Sequence, residues 1–240
     1  MTGKRIHQRG FTLVETIMAI MIALMVVGAI WTAVVAGQRS SSGVEKKVST
    51  TQDARSATDL MAMEIRMASH NRALAQATPW VDPDTCGAGI AAYRGIQRAS
   101  STGMTVEMDL STDTLTVPVI GDADNEIIAY AYDAENRRVT RSMTRCNAGV
   151  PTVLTQTLLG PVNATVKTVN VINGAVPMFR YFNAAGTELV LDGHPEVIPQ
   201  IRRIQIALVV ESEESDPTTG QPRKLSYSTS VIPRNHGVVY

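Results

Sequence analysis

At 240 residues, with 22 basic and 22 acidic side chains, the chain carries no net formal charge, so its composition lacks the basic surplus of a nucleic-acid-binding surface. Aromatic residues make up 5% of it, too few for a set of base-stacking platforms. There is no repeat of fixed period and no low-complexity tract beyond Ser40-Ser41-Ser42.

The first element is the most informative. A basic leader (Lys4, Arg5, His7, Arg9) ends at Gly10, and an apolar run follows from Phe11 to Ala36. One carboxylate, Glu15, stands near its start, and no other formal charge occurs until Arg39. As an α-helix this run extends roughly 39 Å, enough to cross a hydrocarbon core of roughly 30 Å. The cations precede it, so the positive-inside rule predicts residues 1–10 in the cytoplasm and everything after about Gln38 outside.

An ordinary secretory signal competes for this segment, with Val34-Val35-Ala36 as a small-residue cleavage site. Its apolar region is usually about 7–15 residues long, about half of what stands here. Glu15 is the second objection, since a carboxylate in hydrocarbon costs a few kcal/mol and is rare without a partner. No lysine or arginine follows within two turns. Cleavage after Gly10 would create an α-amino cation on Phe11, and that cation on an adjacent subunit is the counter-charge the sequence offers.

Gly10-Phe11-Thr12-Leu13-Val14-Glu15, followed by an apolar helix, resembles the class III signal of type IV prepilins and type II secretion pseudopilins. The resemblance implies that a prepilin peptidase cuts between Gly10 and Phe11 and N-methylates Phe11. It also implies that Glu15 serves assembly, and that the chain works beside other minor pilins, a major pilin and an inner-membrane assembly platform.

Gly37 to Gly43 is polar and glycine-bracketed, and marks the membrane exit. From Val44 to Thr78 there is neither proline nor glycine, and the spacing predicts a second helical stretch ended by Pro79. Its apolar stripe is Ala54, Ala57, Met61, Ile65 and Ala68, widened by Leu60, Met63 and Met67, with Glu64 and Arg66 on the flanks beside Asp53, Arg55 and Asp59. The stripe is expected to pack on the chain's own sheet, the alternative being helix–helix contact in a filament. The methionines are expected as core filler.

Beyond Asp82-Pro83-Asp84 the period becomes alternating. Strands are predicted at Ile90–Gln97, Met104–Leu110, Thr114–Val119, Glu126–Tyr132, Arg137–Thr144, Val166–Ile172, Met178–Tyr181, Ile201–Val210 and Leu225–Ile232. One long helix followed only by strands predicts an α+β chain, with an antiparallel sheet on the outer half of the helix. The expected organisation is a cleaved leader (1–10), a transmembrane and assembly helix (11–37), the soluble half of the helix (38–78) and a β-rich domain (79–240).

Gln52-Asp53-Ala54-Arg55-Ser56-Ala57 and Met63-Glu64-Ile65-Arg66-Met67-Ala68 look like the helix of PilW-type minor pilins. Ile201-Arg202-Arg203-Ile204-Gln205-Ile206 and Ser228-Thr229-Ser230-Val231-Ile232-Pro233-Arg234-Asn235 are similar to the C-terminal strands of that group. J-type minor pseudopilins share much of the pattern. The resemblance implies the pilin fold. One departure is Ser69-His70-Asn71, where many such sequences carry a glycine and an aromatic.

Cys86 and Cys146, the only cysteines, both follow the apolar helix, in what topology makes an oxidising space. A structural disulfide is expected, with two free thiols as the alternative. Gly121-Asp122-Ala123-Asp124-Asn125-Glu126 spaces carboxylates as a calcium loop can, which makes Asp122, Asp124 and Glu126 a candidate set. The position that needs the glycine of an EF-hand holds Ile127, and the twelfth holds Asp133, so a turn with solvated acids is the preferred reading. Asp109, Asp113, Glu211, Glu213 and Glu214 are expected as ordinary loop and strand-end charges. The histidines are isolated in sequence, and no catalytic or phosphate-binding motif is present. The expected function is therefore structural and non-enzymatic: a minor pilin, with a minor pseudopilin or an anchored adhesive module as alternatives, no cofactor and no nucleic-acid partner.

Overall fold

The computed structural model describes residues 10–71, 80–110, 120–163, 169–215 and 220–237. The chain divides into two compact units, Met1–Lys46 and Lys47–Tyr240. The long helix α1, Leu13–Met67, contributes residues to both. The predicted strand Thr114–Val119, the helix-ending Pro79, the leader before Gly10 and Asp113 lie outside the described residues.

In the first unit, Leu13–Gln38 of α1 is long and apolar enough to cross a membrane, and none of its side chains is buried. The helical assignment continues through the Gly37–Gly43 stretch.

Among the described residues, the second unit joins the outer part of α1 to ten strands in two antiparallel sheets, where the sequence led us to expect one. The first sheet is a meander in the order β1-β2-β3-β4-β5: Ile96–Ala99, Gly103–Glu107, Ile127–Asp133, Arg138–Asn147 and Val150–Leu159. The second has the order β10-β9-β7-β8 (Pro222–Val231, Arg203–Ser215, Phe179–Phe182, Glu188–Leu189), with β6 (Val169–Val171) also pairing with β9. As its apolar run suggested, β9 is central. Its inward residues Ile204, Ile206, Leu208 and Val210 are fully buried.

Local chemistry explains the turns. The β4–β5 connection is the two-residue turn Ala148-Gly149, both at positive φ (51° and 80°), which matches the right-handed twist of a tight hairpin. At the β3–β4 turn the Asp133 carboxylate accepts hydrogen bonds from the Asn136 backbone at 3.0 Å and the Arg138 Nε at 3.0 Å.

Strand β5 was not foreseen. Proline at its second position and mostly exposed side chains hide the alternation that marks a buried strand. Of the predicted strand Ile90–Gln97, only the end is β1; Ala91–Tyr93 forms a 3-10 turn closed by Arg94 at φ 51°.

The core joins the α1 stripe to both sheets. Ala54, Ala57, Met61, Ile65 and Ala68 are buried, as the period predicted, among residues such as Val106, Tyr130, Phe179 and Ile206. Met63 and Met67 are not core filler: they are 52% and 37% exposed, on the flank of the stripe. Glu64, expected on that flank, is buried.

The helix also stops earlier than expected, at Met67 instead of near Pro79. Ser69 takes φ 64°, a conformation that favours glycine and ends a helix. Here a serine holds it with its N–H and hydroxyl both engaged. Its N–H donates to Glu107 O at 2.8 Å, its Oγ accepts the Gly95 N–H at 3.0 Å, and it lies 3.0 Å from His236 Nδ1.

Candidate functional site

The candidate site is the start of α1. Thr12 precedes the first helical residue, Leu13, and Glu15 is third in the helix. The Glu15 N–H donates to Thr12 Oγ1 at 3.3 Å, while Thr12 donates its N–H to Glu15 Oε2 at 3.4 Å and its hydroxyl to the same oxygen at 3.5 Å. This is a reciprocal capping box, Thr-x-x-Glu, and it satisfies two of the amides that a helix start leaves without partners. The sequence reading missed Thr12, although the threonine–glutamate spacing was a sufficient signal. Glu15 therefore has a partner within its own chain, Thr12, which meets its Oε2.

Phe11 is 84% exposed and Gly10 is exposed. A Cβ built on Gly10 meets nothing within 4 Å. Among the described residues nothing near Gly10 requires glycine at this position.

The two cysteines form the expected disulfide, Cys86–Cys146, with Cα atoms 5.6 Å apart. It ties the loop after α1 to β4. Gly121, at φ +92°, lies against it, where an added Cβ would come within 3.0 Å of Cys146 Sγ.

The acidic loop beside the disulfide differs from the picture of solvated acids. Glu126 is fully buried and accepts hydrogen bonds from the N–H groups of Leu110 at 2.9 Å, Gly121 at 2.8 Å and Ala123 at 3.2 Å. It closes the loop as a side-chain cap, and burial still pushes its carboxyl up despite these donors. Asp124 is exposed and pairs with Arg145 at 3.6 Å, while Asp122 Oδ1 is buried with no hydrogen-bond partner. A cation here would have to displace the amides from Glu126. Among the described residues no group of three or more His, Cys, Asp or Glu side chains is placed to hold a metal. Asp109, expected as a solvated strand-end charge, is buried as well.

Two further buried polar groups escaped the sequence. Glu107 in β2 is fully enclosed: Oε2 accepts the Val81 N–H at 3.2 Å and Oε1 has no partner. Burial pushes its carboxyl up to about 9, so it is neutral at physiological pH. His236 is also enclosed, with Nε2 3.0 Å from the Ile198 carbonyl and Nδ1 facing Ser69 Oγ, and burial lowers it to about 4. The Ser69–His236 contact is closed from solvent and joins the end of α1 to the C-terminal turn. It is a structural clasp.

Residues 5–31 match a family model described as the prokaryotic N-terminal methylation motif. Among curated proteins and solved structures, nothing matches the chain. The matched motif, the one helix among the described residues long and apolar enough to cross a membrane, and the α+β architecture support a type IV pilin-like protein.

Proposed function

We propose that this protein is a minor pilin, a non-catalytic subunit that takes part in the assembly or priming of a type IV pilus filament. The observation that carries the reading is the N-terminus. A basic leader, a glycine after it and one carboxylate at the head of an unburied apolar helix meet within the matched motif.

Prepilin peptidase cuts after Gly10, and Phe11 becomes the methylated N-terminus. Before assembly the bilayer surrounds the helix, with the N-terminus cytoplasmic and the β domain outside the inner membrane. In the filament, helices of other minor pilins and of the major pilin replace lipid around Phe11–Ala36. Glu15 then pairs with the Phe11 amine of a neighbour, which fixes axial register and removes two uncompensated charges from an apolar surround. A minor pseudopilin of type II secretion would use the same N-terminus, and the identity of the co-purifying subunits separates the two. The test is Glu15→Ala: the variant is expected to insert in the membrane and fail to co-purify with filaments. Normal co-purification would contradict the mechanism.

A further inference from the structure

Residues 80–89 form a small loop closed on itself. Val81 and Ala88 make an antiparallel bridge, the Gly89 N–H donates to Trp80 O at 2.9 Å, and the Asp82 N–H donates to Gly87 O at 2.9 Å. Asp82 also organises the tip. Its carbonyl accepts the Cys86 N–H at 2.8 Å, and its carboxylate takes the Asp84 N–H and the Thr85 hydroxyl, each at 3.1 Å. All of these bonds are internal, so they persist when the loop moves as a body. The next residue, Ile90, is anchored instead: its N–H donates to Gln97 Oε1 at 3.1 Å and its carbonyl accepts from Gln97 Nε2 at 3.4 Å.

The ties that hold the loop to the rest are of another kind. Among the described residues they are the disulfide to β4, the Val81 N–H bond to Glu107 Oε2 at 3.2 Å, the pairing of Arg98 with Asp82 and Asp84, and the packing of Trp80. The Arg98 pairing is exposed and contributes little. Trp80 packs with Ile120 and Ile127, beside Val81 and Cys146, in a cluster separate from the main core. The covalent bridge is therefore the dominant tie, and its own anchor, Cys146, lines the cluster that the loop covers.

The bridge is also reachable. Cys86 and Cys146 are half-buried, not enclosed. Cys86 stands at φ 54°, a left-handed conformation that is unfavourable for any residue with a Cβ.

We propose that Cys86–Cys146 is a redox latch: a dithiol reductant of the Cys-x-x-Cys kind opens it, residues 80–89 swing out about Ile90, and Trp80 becomes exposed while α1 and the two sheets stay folded. A thiolate of the dithiol bonds to one bridge sulfur, and the other leaves as a thiolate and takes a proton. The second thiol of the reductant then displaces the mixed disulfide. Two electrons pass to the bridge, two protons end on Cys86 and Cys146, and the dithiol becomes a disulfide. In an oxidising compartment the latch stands closed until such a dithiol is delivered. Opening uncovers Ile120 and Ile127 and withdraws the Val81 N–H from Glu107. None of this depends on the N-terminal processing proposed above.

The test uses the full-length protein in membranes or detergent, with Trp31→Phe so that Trp80 is the one indole left. Dithiothreitol without denaturant is expected to free two thiols, shift the Trp80 emission to the red and raise its quenching by acrylamide. The far-UV circular dichroism of the sheets should not change, and oxidised glutathione should restore the original emission. Cys86→Ser/Cys146→Ser should show the shifted emission from the start and no response to dithiothreitol. Precursor and processed chain should behave alike. A bridge that resists dithiothreitol until urea unfolds the chain would overturn the proposal. So would two free thiols with Trp80 still shielded, or loss of the far-UV signal on reduction.

Discussion

Arg141 of β4 grips Glu64 of α1 with two parallel donors, Nε at 3.1 Å and Nη2 at 2.7 Å, and both side chains are only 11% exposed. The Tyr130 hydroxyl donates to the same carboxylate, and Arg141 Nη2 also reaches Asn125 Oδ1 at 2.7 Å. Burial and the neighbouring carboxylate together push the Tyr130 phenol up. The fork holds helix, β3, β4 and the acidic loop in one register within the second unit. Removing one partner strands a buried charge. Arg141→Ala is therefore expected to cost about 3–5 kcal/mol, while the apolar pair Glu64→Leu/Arg141→Met loses far less. Urea unfolding of the two variants measures the difference, and equal losses would mean that the pair is not energetically buried.

Glu107 gives the stability a slope with pH. Its native value of about 9 lies above the ordinary 4.5, so between these two the folded chain holds a proton that the unfolded chain has released. Stability from this group is fully present below about pH 4.5 and is lost as pH rises toward 9. Glu107→Gln keeps an acceptor for the Val81 N–H and removes the titration. The variant is expected to melt higher than the parent at pH 8 and close to it at pH 4.5, as thermal scans across that range would show.

His236 acts in the opposite direction. Its native value of about 4 lies below the ordinary 6.5, so the unfolded chain takes up a proton first as pH falls through that window. The charges facing it, Arg94 and Arg202, are cations, which also disfavours protonation. Stability from this residue is present above about pH 6.5 and drains away toward pH 4. His236→Asn should flatten the acid limb of the stability curve at the cost of a lower plateau at pH 7. An unchanged acid limb would remove His236 from this role.

The disulfide closes a loop with a sequence separation of 60 residues. Chain entropy assigns it roughly 4 kcal/mol. Cys86→Ser/Cys146→Ser is expected to lower the urea midpoint accordingly. Gly121→Ala should lower it too, since the new Cβ meets the bridge and φ +92° disfavours any side chain. If Gly121→Ala were harmless, the loop would have to sit farther from the disulfide.

At the head of α1, Glu15 caps the helix, and the proposed function gives it a second, assembly role that one substitution separates from the first. Glutamine serves a capping box as glutamate does, but carries no charge. Glu15→Gln should therefore preserve the helix start and membrane insertion, yet fail to join filaments. Thr12→Val removes the cap acceptor, at about 1 kcal/mol, and keeps the charge; it should still assemble. Filament co-purification of both variants in parallel reads the outcome.

What the sequence made visible was periodic or local. The apolar run, the Ala54-to-Ala68 stripe, the central strand β9 and the disulfide all follow from spacing or topology. Hidden features were those in which tertiary burial reverses the ordinary preference of a residue. Glu64, Asp109 and Glu126 read as surface acids, and Glu107 drew no notice, because carboxylates rarely go inside; only the arriving Arg141, Val81, Gly121 and their neighbours make the sites of Glu64, Glu107 and Glu126 tenable. The early helix end depends on Glu107, Gly95 and His236, which are distant in sequence from Ser69. Strand β5 presents no inward apolar alternation because most of it faces outward. At the candidate site, Gly10, Phe11 and Glu15 carried the motif in plain view. Thr12 needed only the capping rule.

Intact-mass and N-terminal fragment analysis of the protein recovered from membranes tests the central claim most directly. The account predicts a chain that begins at a methylated Phe11, ten residues shorter than its precursor, and full-length precursor when Gly10→Val blocks the cut. A mature chain beginning at Met1, or at Gly37 after cleavage by an ordinary signal peptidase, would contradict it.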